Sequence, residues 1–98
     1  MILEAAMLNV KHGMESDFEA AFRQASPIIA SMSGYVSHEL HKCLEAEGKY
    51  LLLVRWQRLE DHTVGFRTSS EYQRWKALVH HFYDPFPTVE HFETVDLL

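Results

Sequence analysis

The side chains best suited to proton transfer in this sequence are its histidines, of which there are seven among 98 residues. His62 is the most informative of them, because it precedes an aromatic residue and a cation, Phe66 and Arg67, in one short segment. A neutral imidazole at this place can accept a proton from a substrate, since its ordinary pKa of about 6.5 suits base catalysis near neutral pH. In the alternative interpretation, His62 caps or solvates a helix.

Arg67 is the second candidate for a chemical role. Its guanidinium can hold an anionic substrate oxygen or an enolate through charge-assisted hydrogen bonds. Equally, Arg67 can form an ion pair with Glu71, which lies four residues further along the same helical surface. The sequence leaves both roles open.

Aromatic side chains are numerous enough to form the walls of a site for a flat aromatic ligand. The candidates for substrate binding are Phe22, Phe66, Tyr72, Trp75 and Phe82. Aromatic residues at helical spacing also occur in ordinary hydrophobic cores, so a core role is the alternative for each of them.

A metal site is not expected. His38 and His41 lie three apart on a predicted strand and point to opposite faces, while His80 and His81 diverge by about 100° on a predicted helix. The sequence contains no cysteine pair and no HExxH motif. We therefore predict neither a metal nor another cofactor.

Four segments have the composition and alternation of strands. The first is apolar on both faces, and the third has aromatic ends around an apolar middle. The predicted strands cover residues 2–10, 35–43, 49–56 and 88–96.

Two segments show helical periodicity. Residues 15–32 place apolar side chains at alternating spacings of four and three, which indicates one buried stripe. Residues 59–82 form a helical region in two pieces, of which the first covers about 59–66 and the second restarts at Ser69 or Ser70. Two prolines make residues 83–87 irregular.

The predicted order is β-α-β-β-α-β, which is the ferredoxin-like arrangement of an α+β fold with an antiparallel sheet. The length fits a single domain, residues 1–98. Such a sheet has helices on one face only, yet residues 2–10 and 50–54 are apolar on both faces. We therefore predict that a second copy of the chain covers the open face in a homodimer.

Composition excludes several other classes of protein. The 47% share of hydrophobic residues excludes disorder, and a formal charge of −5 without a basic cluster argues against nucleic-acid binding. One cysteine, Cys43, cannot form an internal disulfide, and the start of the chain lacks a signal-peptide pattern. No apolar run is long enough for a membrane. We expect a cytoplasmic protein.

Two segments resemble the antibiotic biosynthesis monooxygenase (ABM) family: residues 56–75, WQRLEDHTVGFRTSSEYQRW, and residues 87–92, PTVEHF. In that family a strand ends in Trp, an interrupted helix carries a Ser and aromatic pair, and a late strand closes the sheet. The resemblance extends over the whole chain through the order of elements. It implies a homodimeric α/β barrel with a pocket between the helices and the sheet.

The resemblance also implies an activity. Some members oxidise electron-rich phenols without metal or flavin, and others cleave haem. The haem-cleaving members use an Asn, a Trp and a His whose positions match Ala6, Phe66 and Lys76, so haem degradation is not expected. The first hypothesis is a cofactor-independent monooxygenase acting on a hydroquinone or polyphenol, with His62 or a neighbouring His as base and Arg67 stabilising the anion. The alternative is a non-catalytic dimer that binds a small molecule or regulates a partner.

Overall fold

The computed structural model describes all 98 residues and contains four strands and two main helices. The elements are β1 (Ile2–Asn9), α1 (Glu15–Ala30), β2 (Tyr35–Lys42), β3 (Lys49–Trp56), a π-helical segment (Asp61–Phe66), α2 (Ser70–Val79), a short 3-10 turn (His80–Phe82) and β4 (Val89–Phe92). None of the helices is long and apolar enough to cross a membrane.

The strands form one antiparallel sheet in the order β2-β3-β1-β4. The two innermost strands, β1 and β3, are adjacent along their full lengths, from the pair Ile2–Trp56 to the pair Asn9–Lys49. This order confirms the predicted α+β, ferredoxin-like fold.

Alternation along β3 separates the two faces of the sheet. Tyr50, Leu52, Val54 and Trp56 are buried and belong to the same hydrophobic core as the inner residues of both helices. The residues between them, such as Leu53, are only partly buried. The core therefore lies between the helices and one face of the sheet, and the opposite face is left open.

The interruption of the helix before Ser69 is explained by local backbone hydrogen bonds. The backbone N–H of Arg67 donates to the carbonyl of His62, five residues earlier, which is the hydrogen bond of a π-helical turn. The helix then stops, and Ser69 begins a new one, because its extended backbone lets Oγ accept from the N–H of Tyr72 at 3.1 Å. Of the two predicted restart residues, Ser69 is the cap.

The last strand is shorter than the predicted range 88–96. It spans Val89–Phe92, and its final pair joins Phe92 to Leu3 near the start of β1. The prediction was wrong for residues 93–96 because β1 begins at Ile2, so little strand remains for them to pair with. The irregular segment before β4 is tied to the sheet by a single bridge between Val10 and Tyr83.

Candidate functional site

A cavity of about 380 Å³ lies between the sheet, the interrupted helix and the segment that leads into β4. This volume is in the range of pockets for small organic ligands. Most of the residues that line it are apolar or aromatic, and they share the wall with charged and other polar groups. It is lined by Glu4, Ala6, Leu8, Leu52, His62, Arg67, Tyr72, Trp75, His80, Tyr83, Phe86, Pro87 and Val89.

Glu4 is a carboxyl group buried in the wall of this cavity, with 5% of its surface exposed. It lies on the inward face of β1, and its Oε1 accepts a hydrogen bond of 2.9 Å from Nε1 of Trp56. Burial raises the pKa of Glu4, while the Trp56 hydrogen bond and the charge of Arg67 act in the opposite direction. A carboxyl group in such surroundings is a candidate functional residue.

His62 is also buried, with 4% of its surface exposed. Its ring stacks on Trp56 at a centroid distance of 5.5 Å, its Nε2 lies 3.4 Å from Oε1 of Glu4, and its Nδ1 lies 2.8 Å from Nε2 of His91. The alternative of a capping or solvated His62 is therefore wrong. Burial lowers the pKa of His62 to about 3, so the imidazole is neutral at neutral pH but is a weaker base than the ordinary value of about 6.5 implies.

Arg67 lines the same cavity from an exposed position on the helix interruption. Glu71 is not its partner: the Glu71 carboxylate instead accepts from the hydroxyl of Ser70 at 3.2 Å. Burial is the main cause of the lowered pKa values of His62 and His91, and the positive charge of Arg67 adds to both shifts and opposes the rise in the pKa of Glu4. Arg67 is thus a cation at the cavity without an ion-pair partner in the chain.

The structure divides the five predicted aromatic residues into three groups. Tyr72 and Trp75 line the cavity. Phe66 and Phe82 belong to the hydrophobic core and do not line it. Phe22 borders a separate cavity of about 300 Å³ between α1 and β2. Contact of any of these side chains with a substrate stays a prediction.

Three residues of the site were not singled out from the sequence for this role: Glu4, His80 and Tyr83. The sequence contains a signal for Glu4, because Glu4 is the polar residue at an inward position of a strand that is otherwise apolar on that face. His80 and Tyr83 left none, since their place depends on how the segment after α2 returns to the sheet. No group of three or more His, Cys, Asp or Glu side chains is arranged to hold a metal.

The sequence model of the family described as antibiotic biosynthesis monooxygenase matches residues 1–78. The chain belongs to this family. A relative within the curated proteins, YczJ of Bacillus subtilis, is 66% identical over 95 residues, which cover 97% of this chain and 100% of YczJ.

Solved structures of ABM proteins share the fold. A crystal structure from Bordetella bronchiseptica, named for the same family, has a TM-score of 0.92 and 37% identity and covers 96% of each chain. SnoaB of Streptomyces nogalater, named as a cofactor-independent oxygenase, has a TM-score of 0.77 and 18% identity and covers 99% of this chain and 95% of that one. At 18% identity the likeness to SnoaB shows the fold alone.

Proposed function

We propose that this ABM protein is a cofactor-independent monooxygenase that oxidises an electron-rich phenol, such as a hydroquinone or polyphenol. The observation that carries the proposal is the placement of His62, Glu4 and Arg67 together on the wall of one cavity, with Nε2 of His62 3.4 Å from Oε1 of Glu4. The name of SnoaB and the family name support the same class of reaction.

The reaction needs no external electron donor because the substrate supplies the electrons. Removal of the phenolic proton gives an electron-rich anion, which passes one electron to O₂. The resulting radical and superoxide combine to form a carbon–oxygen bond, and the peroxide anion on the ring carbon takes back the proton from the base to give a hydroperoxide. Loss of water then leaves a carbonyl, so that a phenol and O₂ yield a quinone and H₂O.

His62 is the proposed general base for the first step. Its role requires the tautomer in which Nδ1–H donates to Nε2 of His91, because Nε2 then keeps a lone pair for the substrate proton. Glu4, 3.4 Å from that nitrogen, stabilises the imidazolium that forms. Glu4 is thus a positioning residue, and Arg67 stabilises the phenolate.

We further propose that the protein works as a homodimer joined through the open face of the sheet. Leu3, Ala5 and Met7 of β1 lie on that face beside Leu51 and Leu53 of β3, as the pairing of the two strands requires. Met7 has 43% of its surface exposed. A contiguous apolar patch of this kind favours a partner surface, and a second copy presents the same patch.

Oxygen uptake tests the proposed reaction. Chelator-treated protein is mixed with naphthol or an anthrone in an oxygen electrode, and quinone formation is followed by absorbance. We expect uptake above the spontaneous rate and a decrease of about a hundredfold in His62→Ala, since a positioned base contributes at least that factor. His12→Ala is the matched control, because His12 is exposed in a turn and does not line the cavity.

Two outcomes contradict the proposal in different ways. Equal rates in wild type and His62→Ala would show that His62 is not the base. No uptake across a panel of phenols, together with tight binding of an unchanged phenol, would favour the non-catalytic ligand-binding dimer instead.

A further inference from the structure

His80 has an unusual environment at the end of α2. No hydrogen bond within the chain involves either of its ring nitrogens, and Nδ1 is the single buried side-chain nitrogen or oxygen of the protein without a partner. The ring packs nearly perpendicular to two aromatic neighbours, with centroid distances of 5.7 Å to Tyr72 and 5.0 Å to Phe86. The packing therefore fixes the orientation of the imidazole without satisfying its polar atoms.

The environment also selects a tautomer. A neutral imidazole carries one proton, on either Nδ1 or Nε2. An unpaired buried N–H is rarer in proteins than an unpaired buried acceptor, so enclosure of Nδ1 favours the form with the proton on Nε2. Nε2 is not enclosed, and His80 lines the cavity, so this nitrogen is the one open to a ligand. Burial and the nearby charge of Lys76 lower the pKa of His80 to about 4, which keeps the ring neutral at pH 7.

His80 and His62 lie towards opposite ends of the cavity. His62 contacts Glu4, whereas His80 is 5.9 Å from Tyr83 between ring centroids, and Tyr83 bridges to Val10. The rings of Phe66 and Tyr72 link the two histidines, with centroid distances of 6.4 Å from His62 to Phe66, 5.2 Å from Phe66 to Tyr72 and 5.7 Å from Tyr72 to His80, so the two imidazoles are at most about 17 Å apart. Apolar and aromatic residues, among them Ala6, Leu8 and Leu52, line the cavity between these two polar regions.

We propose that Nε2–H of His80 donates a hydrogen bond to a carbonyl oxygen at the end of the substrate remote from its reacting phenol. This inference rests on the proposed function for the assignment of His62 to the reacting end. It makes His80 a specificity-determining residue, which selects elongated phenols that carry a ketone or quinone oxygen on the far side. A neutral, pre-oriented donor suits a carbonyl, because a carbonyl is an acceptor only.

Two stable compounds test this role without any turnover. The first is a hydroxytetralone, a bicyclic phenol with its ketone on the second ring, and the second is the tetrahydronaphthol that has the same carbon skeleton without the ketone. Binding of each is measured by calorimetry to wild type, His80→Phe and His80→Gln. Phe keeps the ring shape and removes both nitrogens, and the Gln side-chain amide keeps an N–H donor at nearly the same reach as Nε2.

We expect wild type to bind the hydroxytetralone about fivefold to tenfold more tightly than the tetrahydronaphthol, which corresponds to one net hydrogen bond. His80→Phe loses this preference, and His80→Gln keeps most of it. Nitrogen-15 chemical shifts of the histidine rings add a direct readout, since they report whether the proton of His80 is on Nε2.

A preference for the ketone that survives in His80→Phe would overturn the proposal, and so would failure of wild type to bind the hydroxytetralone. Failure of the oxygenase function has a different signature. In that case no phenol is oxidised, and His62→Ala changes no rate, but the preference for the ketone still depends on His80.

Discussion

The two faces of the sheet shift the pKa of a glutamate carboxyl group in opposite directions. Glu4 lies on the face covered by helices, where burial raises the pKa of its carboxyl group. Glu39 lies on the open face, where hydrogen bonds from Arg55 and His41 lower the pKa of its carboxyl group. Both residues are on strands, so the difference arises from what covers each face.

This comparison explains how so small a domain combines a site with an assembly surface. Successive residues of β1 and β3 point to opposite faces, so each strand supplies both. Inward positions such as Glu4 and Leu52 line the cavity, and outward positions such as Leu53 form the proposed interface. A shift of register by one residue would exchange the two sets of side chains.

Lysine substitutions at two neighbouring positions of β3 test the difference between the covered and the open face. They have the largest expected effects, on folding and on assembly. Leu52 is 5% exposed and borders the cavity, so Leu52→Lys buries an unpaired charge and destabilises the fold by about 4 kcal/mol or more. We expect this variant to lose its cooperative thermal transition in circular dichroism. Leu53→Lys places the charge on the open face, and we expect a folded protein that light scattering reports as one chain where wild type reports two.

Leu52→Lys is the matched control for Leu53→Lys, because it places the same charge one residue away on the opposite face of the sheet. A folded Leu53→Lys variant with the mass of two chains would refute the open face as the interface. A wild-type protein with the mass of one chain at micromolar concentration would remove the homodimer altogether.

Much of the fold could be predicted from the sequence because the patterns are local. Strand β3 was placed at residues 49–56 by its composition, and it has those bounds in the structure. The end of β4 was missed because it is set by where its partner β1 begins, which is a contact between distant parts of the chain. Homodimer formation was inferred from the apolar pattern alone and stays a prediction.

The site was only partly predictable from the sequence, because several of its side chains come from distant parts of the chain. His62 and Arg67 lie in one short segment, and both line the cavity. Glu4 and His91 come from two different strands, and sequence spacing gave no sign that their side chains would flank His62. The sequence shows His80 and His81 only as a diverging pair on a helix, whereas the enclosure of Nδ1 of His80 depends on the packing of Tyr72 and Phe86 around it.

Trp56→Phe tests the hydrogen bond of the buried Glu4 on the covered face, with an intermediate expected effect on stability. The variant removes the indole N–H that donates to Glu4 and leaves a buried carboxyl oxygen without that donor. We expect a loss of about 1–3 kcal/mol in the free energy of unfolding, measured by urea denaturation at fixed protein concentration, and a further rise in the pKa of Glu4. Part of the loss comes from the smaller ring, so the same change is also made in a Glu4→Leu background.

The two backgrounds form a double-mutant cycle. If the hydrogen bond matters, Trp56→Phe costs less when Glu4 is already Leu, since no buried carboxyl group is then left unpaired. Equal costs in both backgrounds would assign the whole effect to lost packing against neighbours such as Tyr35 and Phe66.

The smallest effect is the pH dependence of stability, which comes from the covered face and its histidines. The pKa of His62 is lowered from 6.5 to about 3 and that of His80 from 6.5 to about 4, so the unfolded chain binds more protons than the folded protein between these values. Stability is therefore complete above about pH 6.5 and falls as the pH decreases below it, and solvent screening of the partly exposed His80 reduces its share of the loss. Glu4, whose pKa is raised, offsets part of the loss at the acidic end.

His80→Gln separates the contribution of His80 to this pH dependence from that of His62. The variant keeps a polar group of similar reach and removes one titrating ring, so its free energy of unfolding decreases less steeply between about pH 6 and pH 4.5 than that of wild type. Urea denaturation at a series of pH values measures the two slopes. Equal slopes in His80→Gln and wild type would mean that His80 titrates alike in the folded and unfolded chain, and the enclosure of its Nδ1 would then not hold in solution.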